Sequence, residues 1–293
     1  MWGRWVMALA IAASLASSSH VARSDPQVTA LDDKLAADPD RIDWLLERAA
    51  LHRLRGDFGA ALADLNEAYE LDPELPEVCL ERGQVLAALG YPLAAESDLS
   101  LFLALRPDSV RALQVRGRLL SLMGQPARAR ADYEAALALA PTAALYLARC
   151  RLDEDSGKLD DAASCYSRGL GALRDAVVLR HALARVETER RNYGRAIAML
   201  DALVDHPALR ADALLDRADA YEQAGKELQA LRDRQLAMEV IQRALERRTS
   251  PRFERLRDRA AWALGDADAS DDEDVDDGPP DLDAARAALR PEP

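Results

Sequence analysis

Residues 110–141 read VRALQVRGRLLSLMGQPARARADYEAALALAP. Gly117, Gly124, Ala129, Tyr133, Ala136 and Pro141 punctuate this stretch, and their spacing returns upstream. Thirty-four residues earlier stand Gly83, Gly90, Ala95, Leu99 and Pro107, and another 34 earlier Ala49, Gly56, Ala61, Leu65, Ala68 and Pro73. Pro39 extends the proline series by one more step. A period of this length means two-helix units that cannot bury their apolar faces alone and must stack. Each position has a physical reason. Ala49, Gly83, Gly117 and Ala218 are small because the two helices of a hairpin cross there, and a larger side chain would overpack the crossing at about 1–3 kcal/mol. Gly56, Gly90, Gly124 and Gly225 supply the left-handed backbone that ends a first helix. The periodic prolines stop one helix and start the next.

Reading outward, the three clearest units run Ile42–Pro73, Pro76–Pro107 and Val110–Pro141. A fourth follows with Gly157, Ala162 and Tyr166, a fifth with Asn192, Tyr193 and Ala196, and a sixth with Tyr221, Gly225 and Ala230. Arg48, Arg82, Arg116 and Arg217 each precede the small residue of a first helix, and Asp64, Asp98, Asp132 and Asp233 stand 16 residues later. In the fifth unit the same two places hold Leu183 and Met199, so both charges vanish together. This covariation predicts an arginine–aspartate contact inside the hairpins, replaced once by an apolar pair.

From Pro39 to Leu245 the pattern resembles the tetratricopeptide repeat family, with Phe102 and Arg174 as departures from its small-residue and proline positions. The resemblance implies an all-α, right-handed superhelical solenoid of about six helix-turn-helix hairpins with capping helices at both ends. It also implies that the first helices line a concave face where an extended peptide or a partner's helix is held. The residue after each small one points toward that face: Ala50, Gln84, Arg118, Arg151, Arg185 and Asp219. Arginine suits carboxylates because its planar donors pair with both oxygens. Arg118, Arg151 and Arg185, with Gln84, Gln114 and His181 assisting, are therefore the candidate peptide-binding residues, for an acidic segment. The competing reading has them solvated or neutralised by Glu154, Asp155 and Glu189.

The remaining features bound the chemistry. The 293 residues are 49% hydrophobic but only 5% aromatic, a mix that suits close-packed helices. Net charge is −13, and residues 266–293 hold eleven acids against two arginines. Nothing supplies the positive field that nucleic-acid binding needs. Arg4 followed by the apolar run from Val6 to Ala16 reads as a secretory leader over 1–22, cleaved after Ala16 or Ala22, because the run is well short of the roughly 20 residues a membrane-spanning helix needs. The expected organisation is then a leader (1–22), an N-terminal capping helix (23–41), the repeat solenoid (42–247), a C-terminal capping helix (248–265) and an acidic disordered tail (266–293). Cys150 and Cys165 fall on the two helices of the fourth unit and form a candidate disulfide, with buried free cysteines as the alternative. His20, His52, His181 and His206 make no metal-binding pair, and Gly157-Lys158 and Gly225-Lys226 lack phosphate-cradling spacing. No enzyme, cofactor or metal is expected. The function expected is a protein-interaction scaffold or adaptor in the periplasm or outside the cell. The alternatives are an accessory subunit of a secreted enzyme or an acid-tailed cation binder.

Overall fold

The computed structural model describes residues 25–247 and 249–264. The expected leader and acidic tail lie outside the described residues. Fourteen α-helices and no strand occur among those described. A single helix α1 (Pro26–Ala37) precedes six hairpins: α2 (Ile42–Leu54) with α3 (Phe58–Leu71), α4 (Pro76–Ala88) with α5 (Pro92–Leu105), α6 (Val110–Leu122) with α7 (Pro126–Leu139), α8 (Ala143–Glu154) with α9 (Leu159–Ala172), α10 (Val177–Glu189) with α11 (Tyr193–Asp201), and α12 (Arg210–Gln223) with α13 (Glu227–Arg247). Helix α14 (Pro251–Leu264) follows. The chain divides into two compact units, residues 1–101 and 102–293.

The hairpin turns repeat one backbone device. Gly56, Gly90, Gly124, Gly157 and Gly225 hold φ between 69° and 80°, and the N–H after each bonds a carbonyl five residues back, as Gln125 does to Leu120 at 2.8 Å. The fifth turn lacks the glycine, and Arg191 takes its place at φ 63°. Glu187, fully buried, compensates by accepting from Arg190 Nη1 at 2.8 Å and Asn192 Nδ2 at 2.7 Å. A non-glycine residue in this region costs about 1–2 kcal/mol, part of which glycine gives back as unfolded-chain entropy. Arg191→Gly should therefore raise stability by about 0.5–1 kcal/mol, read as a higher urea midpoint; a lower midpoint would mean that the arginine contributes something its backbone does not show.

The periodic prolines stop the preceding helices as expected but do not start the next ones. Pro39, Pro73 and Pro141 sit two residues beyond the ends of α1, α3 and α7 rather than at the next helix start. Each forces its predecessor into extended backbone, as at Asp72 (φ −147°, ψ 92°) and Ala140 (φ −149°, ψ 94°). Other prolines, among them Pro76 and Pro126, open helices at their first position, where a missing N–H costs nothing. After the fourth hairpin, where no proline stands, Asp175 turns the chain at φ 56°.

In the first unit, α1 lays Leu35 against Leu45, Ala68 and Val78, so the opening hairpin has a covered end. Ala49, Ala61, Leu65 and Val85 form the adjoining cluster. Gly83 is small for the reason anticipated: a Cβ there would lie 2.9 Å from Leu99 Cγ. In the second unit, a Cβ at Gly117 would meet the Tyr133 ring at 3.0 Å. Gly169, which the repeat pattern does not mark, is tighter still, facing Leu179 at 2.8 Å and Tyr146 at 2.9 Å. Leu214, Leu215 and Ile241 close the sixth hairpin against Leu256 and Ala260 of α14, with Phe253 packed alongside. Each leucine buried in these clusters is worth about 1.5–3 kcal/mol of transfer free energy.

Inside the hairpins the arginine–aspartate pairs form as two-pronged bonds. Arg48 reaches Asp64 at 3.0 and 2.7 Å, Arg82 reaches Asp98 at 2.7 and 2.9 Å, Arg116 reaches Asp132 at 2.8 and 2.7 Å, and Arg217 reaches Asp233 at 2.6 and 2.7 Å. Arg82 also stacks 3.5 Å from the Tyr69 ring centroid. In the fifth hairpin Leu183 is buried with Met199 packed against the same cluster. The fourth hairpin solves the problem a third way. Arg149 keeps the arginine, but the place 16 residues on is Cys165, and that sulfur is bonded to Cys150 with the Cα atoms 5.5 Å apart. Arg149 turns instead to Asp153 on its own helix and to Glu134 on α7 at 3.1 Å, while Arg130 of α7 reaches the same Asp153.

Candidate functional site

The first helices of the second unit, α6, α8, α10 and α12, are neighbours in that order, with α14 beside α12. Gly117, Cys150, Ala184 and Ala218 are their buried crossing residues. One residue further along each helix therefore falls at one register, and these positions hold Arg118, Arg151, Arg185 and Asp219. The three arginines are exposed. Neighbouring helix axes lie roughly 8–10 Å apart, so the charges form a row spaced at about three residues of an extended strand. Gln114 lies one turn before Arg118 and is exposed with it.

The row has one carboxylate set into it. Glu154, half-buried on α8, accepts a hydrogen bond from Tyr166 Oη, and Tyr166 is fully buried. Burial pushes the Glu154 carboxyl above its ordinary range, against the pull of Tyr166, Arg185 and Arg151. The same burial, with the carboxylate as neighbour, raises the Tyr166 phenol. Glu154 is thus spent on Tyr166 and neutralises the row only in part. None of the Arg118, Arg151 and Arg185 side chains forms a hydrogen bond or ion pair with another described residue.

Two of the other candidates have different places. Gln84 lies on α4 in the first unit and donates to Leu80 O on its own helix at 3.3 Å. His181 does not stand free: its Nε2 is 2.8 Å from Asp216 Oδ2 on α12. Burial pushes the Asp216 carboxyl up, but His181 and Arg259 outweigh it and hold it below the usual carboxylate range. Arg259 of α14 bonds both Asp216, at 2.7 Å, and Asp219. Arg234 takes Glu222, and Arg252 takes Asp212. At α12 the inner face changes sign, and α14 brings the cations that match it. Sequence spacing did not point to these contacts, because α13 runs to 21 residues and shifts α14 out of the 34-residue frame.

An open hollow of about 650 Å³ at the turns of the fourth and fifth hairpins is lined by Lys158, Asp160, Asp161, Arg190 and Asn192. Its polar groups are largely committed, Arg190 to Asp160 and Glu187 and Asn192 to Glu187. Among the described residues no cluster of metal-ligating side chains occurs, and no helix is long and apolar enough to cross a membrane.

Stacked hairpins with a glycine turn, a small crossing residue and an open inner face define an all-α helical-repeat solenoid, a class that presents surface to other polypeptides. The tetratricopeptide repeat profile matches residues 110–142, so the third hairpin is a tetratricopeptide repeat, and the chain has the fold of tetratricopeptide-repeat proteins. Its fold is similar to that of a tetratricopeptide repeat protein from Parabacteroides merdae, at 16% identity and TM-score 0.56, covering 80% of this chain and 90% of that one. It is similar to the C-terminal part of a repeat-containing protein from Cytophaga hutchinsonii, at 15% identity and TM-score 0.61, covering 68% and 80%. Pseudomonas aeruginosa pilF is a third likeness, at 17% identity and TM-score 0.55, covering 68% and 91%. No curated protein matches the chain.

Proposed function

We propose that this interaction scaffold holds an acidic segment of a partner polypeptide along α6, α8 and α10, with Arg118, Arg151 and Arg185 as the principal contacts and Gln114 beside them. The observation that carries this reading is three exposed guanidiniums at one register on consecutive helices, with no carboxylate among the described residues bonded to them. Each can pair both oxygens of a carboxylate, and side chains spaced at helix intervals fit an extended ligand. The scaffold works outside the cytoplasm. That part is supported by the leader-like composition of residues 1–22 and by the Cys150–Cys165 bond, a linkage rare in reducing compartments.

A fluorescein-labelled octaglutamate tests the site by anisotropy titration. Exposed pairs of this kind contribute about 0.2–1 kcal/mol each. In a chain whose Asp271, Asp272, Glu273, Asp274, Asp276 and Asp277 are changed to amides, which removes the chain's own competing acids, replacing Arg118, Arg151 and Arg185 together with alanine should therefore weaken binding by about tenfold. Added salt should weaken the amide-substituted parent more than its triple variant. Equal affinities for the two proteins would remove the site.

A further inference from the structure

We infer that the arginine row has an occupant within the same chain: the acidic segment at residues 266–277 lies across Arg185, Arg151 and Arg118 and is displaced by any acidic partner. This rests on the reading of the row as a site for acidic segments and names what fills it first.

Charge is the first argument. Of the net −13 on the chain, residues 266–293 carry eleven acids and two arginines, which leaves −9, and Asp271, Asp272, Glu273, Asp274, Asp276 and Asp277 are grouped within seven positions. The second is where that segment begins. Helix α14 runs alongside α12 in the same direction: Arg252 near its start meets Asp212, Arg259 meets Asp216 and Asp219, and Ala263 O near its end accepts from Arg234, which also holds Glu222. Leu264 therefore ends the described chain in the layer formed by α6, α8, α10 and α12, the layer that carries the arginine row.

The path from there to the row is electrically open. The carboxylates of α12 are already matched by Arg252, Arg259, Arg234 and His181. An acidic chain crossing α12 meets ion pairs rather than bare negative charge. Beyond them stand the unmatched arginines, opposed by Glu154, which is tied to Tyr166, and by exposed Glu189.

Reach is sufficient. From α14 to α10 is two helix spacings, about 20 Å, and to α6 four, about 40 Å. An extended chain covers up to about 3.3–3.6 Å per residue, so Asp271, seven residues past Leu264, reaches about 24 Å and Asp277 about 45 Å. Both ends of the row fall inside that span. A tether of this length holds its acids at a millimolar effective concentration, so a segment that binds the row with a Kd of about 10–100 μM weakens any competing ligand by about 10- to 100-fold.

The experiment uses the full chain and the same labelled octaglutamate. In one variant Asp271→Asn, Asp272→Asn, Glu273→Gln, Asp274→Asn, Asp276→Asn and Asp277→Asn are combined, which keeps length and polarity and removes six charges. This variant should bind the probe at least tenfold more tightly than the unaltered protein. Adding Arg118→Ala, Arg151→Ala and Arg185→Ala should abolish that gain. If the neutralised and unaltered chains bind equally, and both depend on the three arginines, the row stands and its internal occupant is refuted. If neither chain binds the probe, the row itself fails and the inference falls with it. A gain that survives loss of the arginines would mean that the acids act by overall repulsion, and would overturn the inference as well.

Discussion

Arg116→Leu should destabilise the protein by about 2–4 kcal/mol, and adding Asp132→Met should restore most of the loss. The single change strands a carboxylate whose side chain is only 8% exposed, after removing both of its guanidinium bonds. Breaking a buried pair from one side typically costs about 3–5 kcal/mol, because the surviving charge has lost both water and partner. The expected figure is somewhat lower here because Arg116 keeps 21% of its side chain in solvent. The double change copies the Leu183–Met199 solution that the fifth hairpin already uses at the same two positions. Replacing a buried ion pair by apolar groups of similar volume is often neutral or better. Urea unfolding followed by circular dichroism checks both halves. A double variant no more stable than the single one would show that the pair does more than fill and neutralise the crossing.

Cys150→Ala with Cys165→Ala should cost about 3 kcal/mol, the second large effect. The bond closes a loop with a sequence separation of 15, and constraining a loop of that size in the unfolded chain is worth about 3 kcal/mol. No ion pair replaces it, because Arg149 is already engaged by Asp153 and Glu134. Hydrogen exchange gives the location: amides of α8 and α9 should lose protection before those of α6 and α7. The unaltered protein in a thiol reductant should shift in the same direction once the buried bond is reduced. If the paired variant unfolds at the same urea concentration as the parent, the bond contributes nothing to holding the hairpin.

How much of this was legible in advance depends on what each residue answers to. Gly56, Gly90, Gly124 and Gly225 respond to a local backbone demand, so their spacing reveals the turns directly. Arg191 meets the same demand without being glycine, and the fifth turn is correspondingly harder to see. Its support comes from Glu187, a residue no turn rule selects. The arginine–aspartate pairs were readable because both partners recur and because both disappear in the fifth unit. The same 16-residue spacing joins Arg149 to Cys165, and following it through the fourth unit would have shown the disulfide standing where the ion pair belongs. His181 looked like part of the row because its register is right, but a single sequence does not say that Asp216 lies 2.8 Å away on another hairpin.

Composition and period were enough to establish an all-α chain of six paired helices, where its turns fall, which residues must be small, and which side chains share one exposed register. Those properties are local or repeat at a fixed interval, and steric demands at a helix crossing act on residue type alone. Tertiary packing settled what periodicity does not encode. It tied Glu154 to Tyr166, set Arg149 and Arg130 around Asp153, and brought α14 against α12 so that Arg259 meets Asp216 and Asp219. These contacts join residues with no shared period, and a charge's partner is fixed by distance in space. That is why the row of arginines could be drawn from the chain's order, while its unpaired state could be read only from the folded protein.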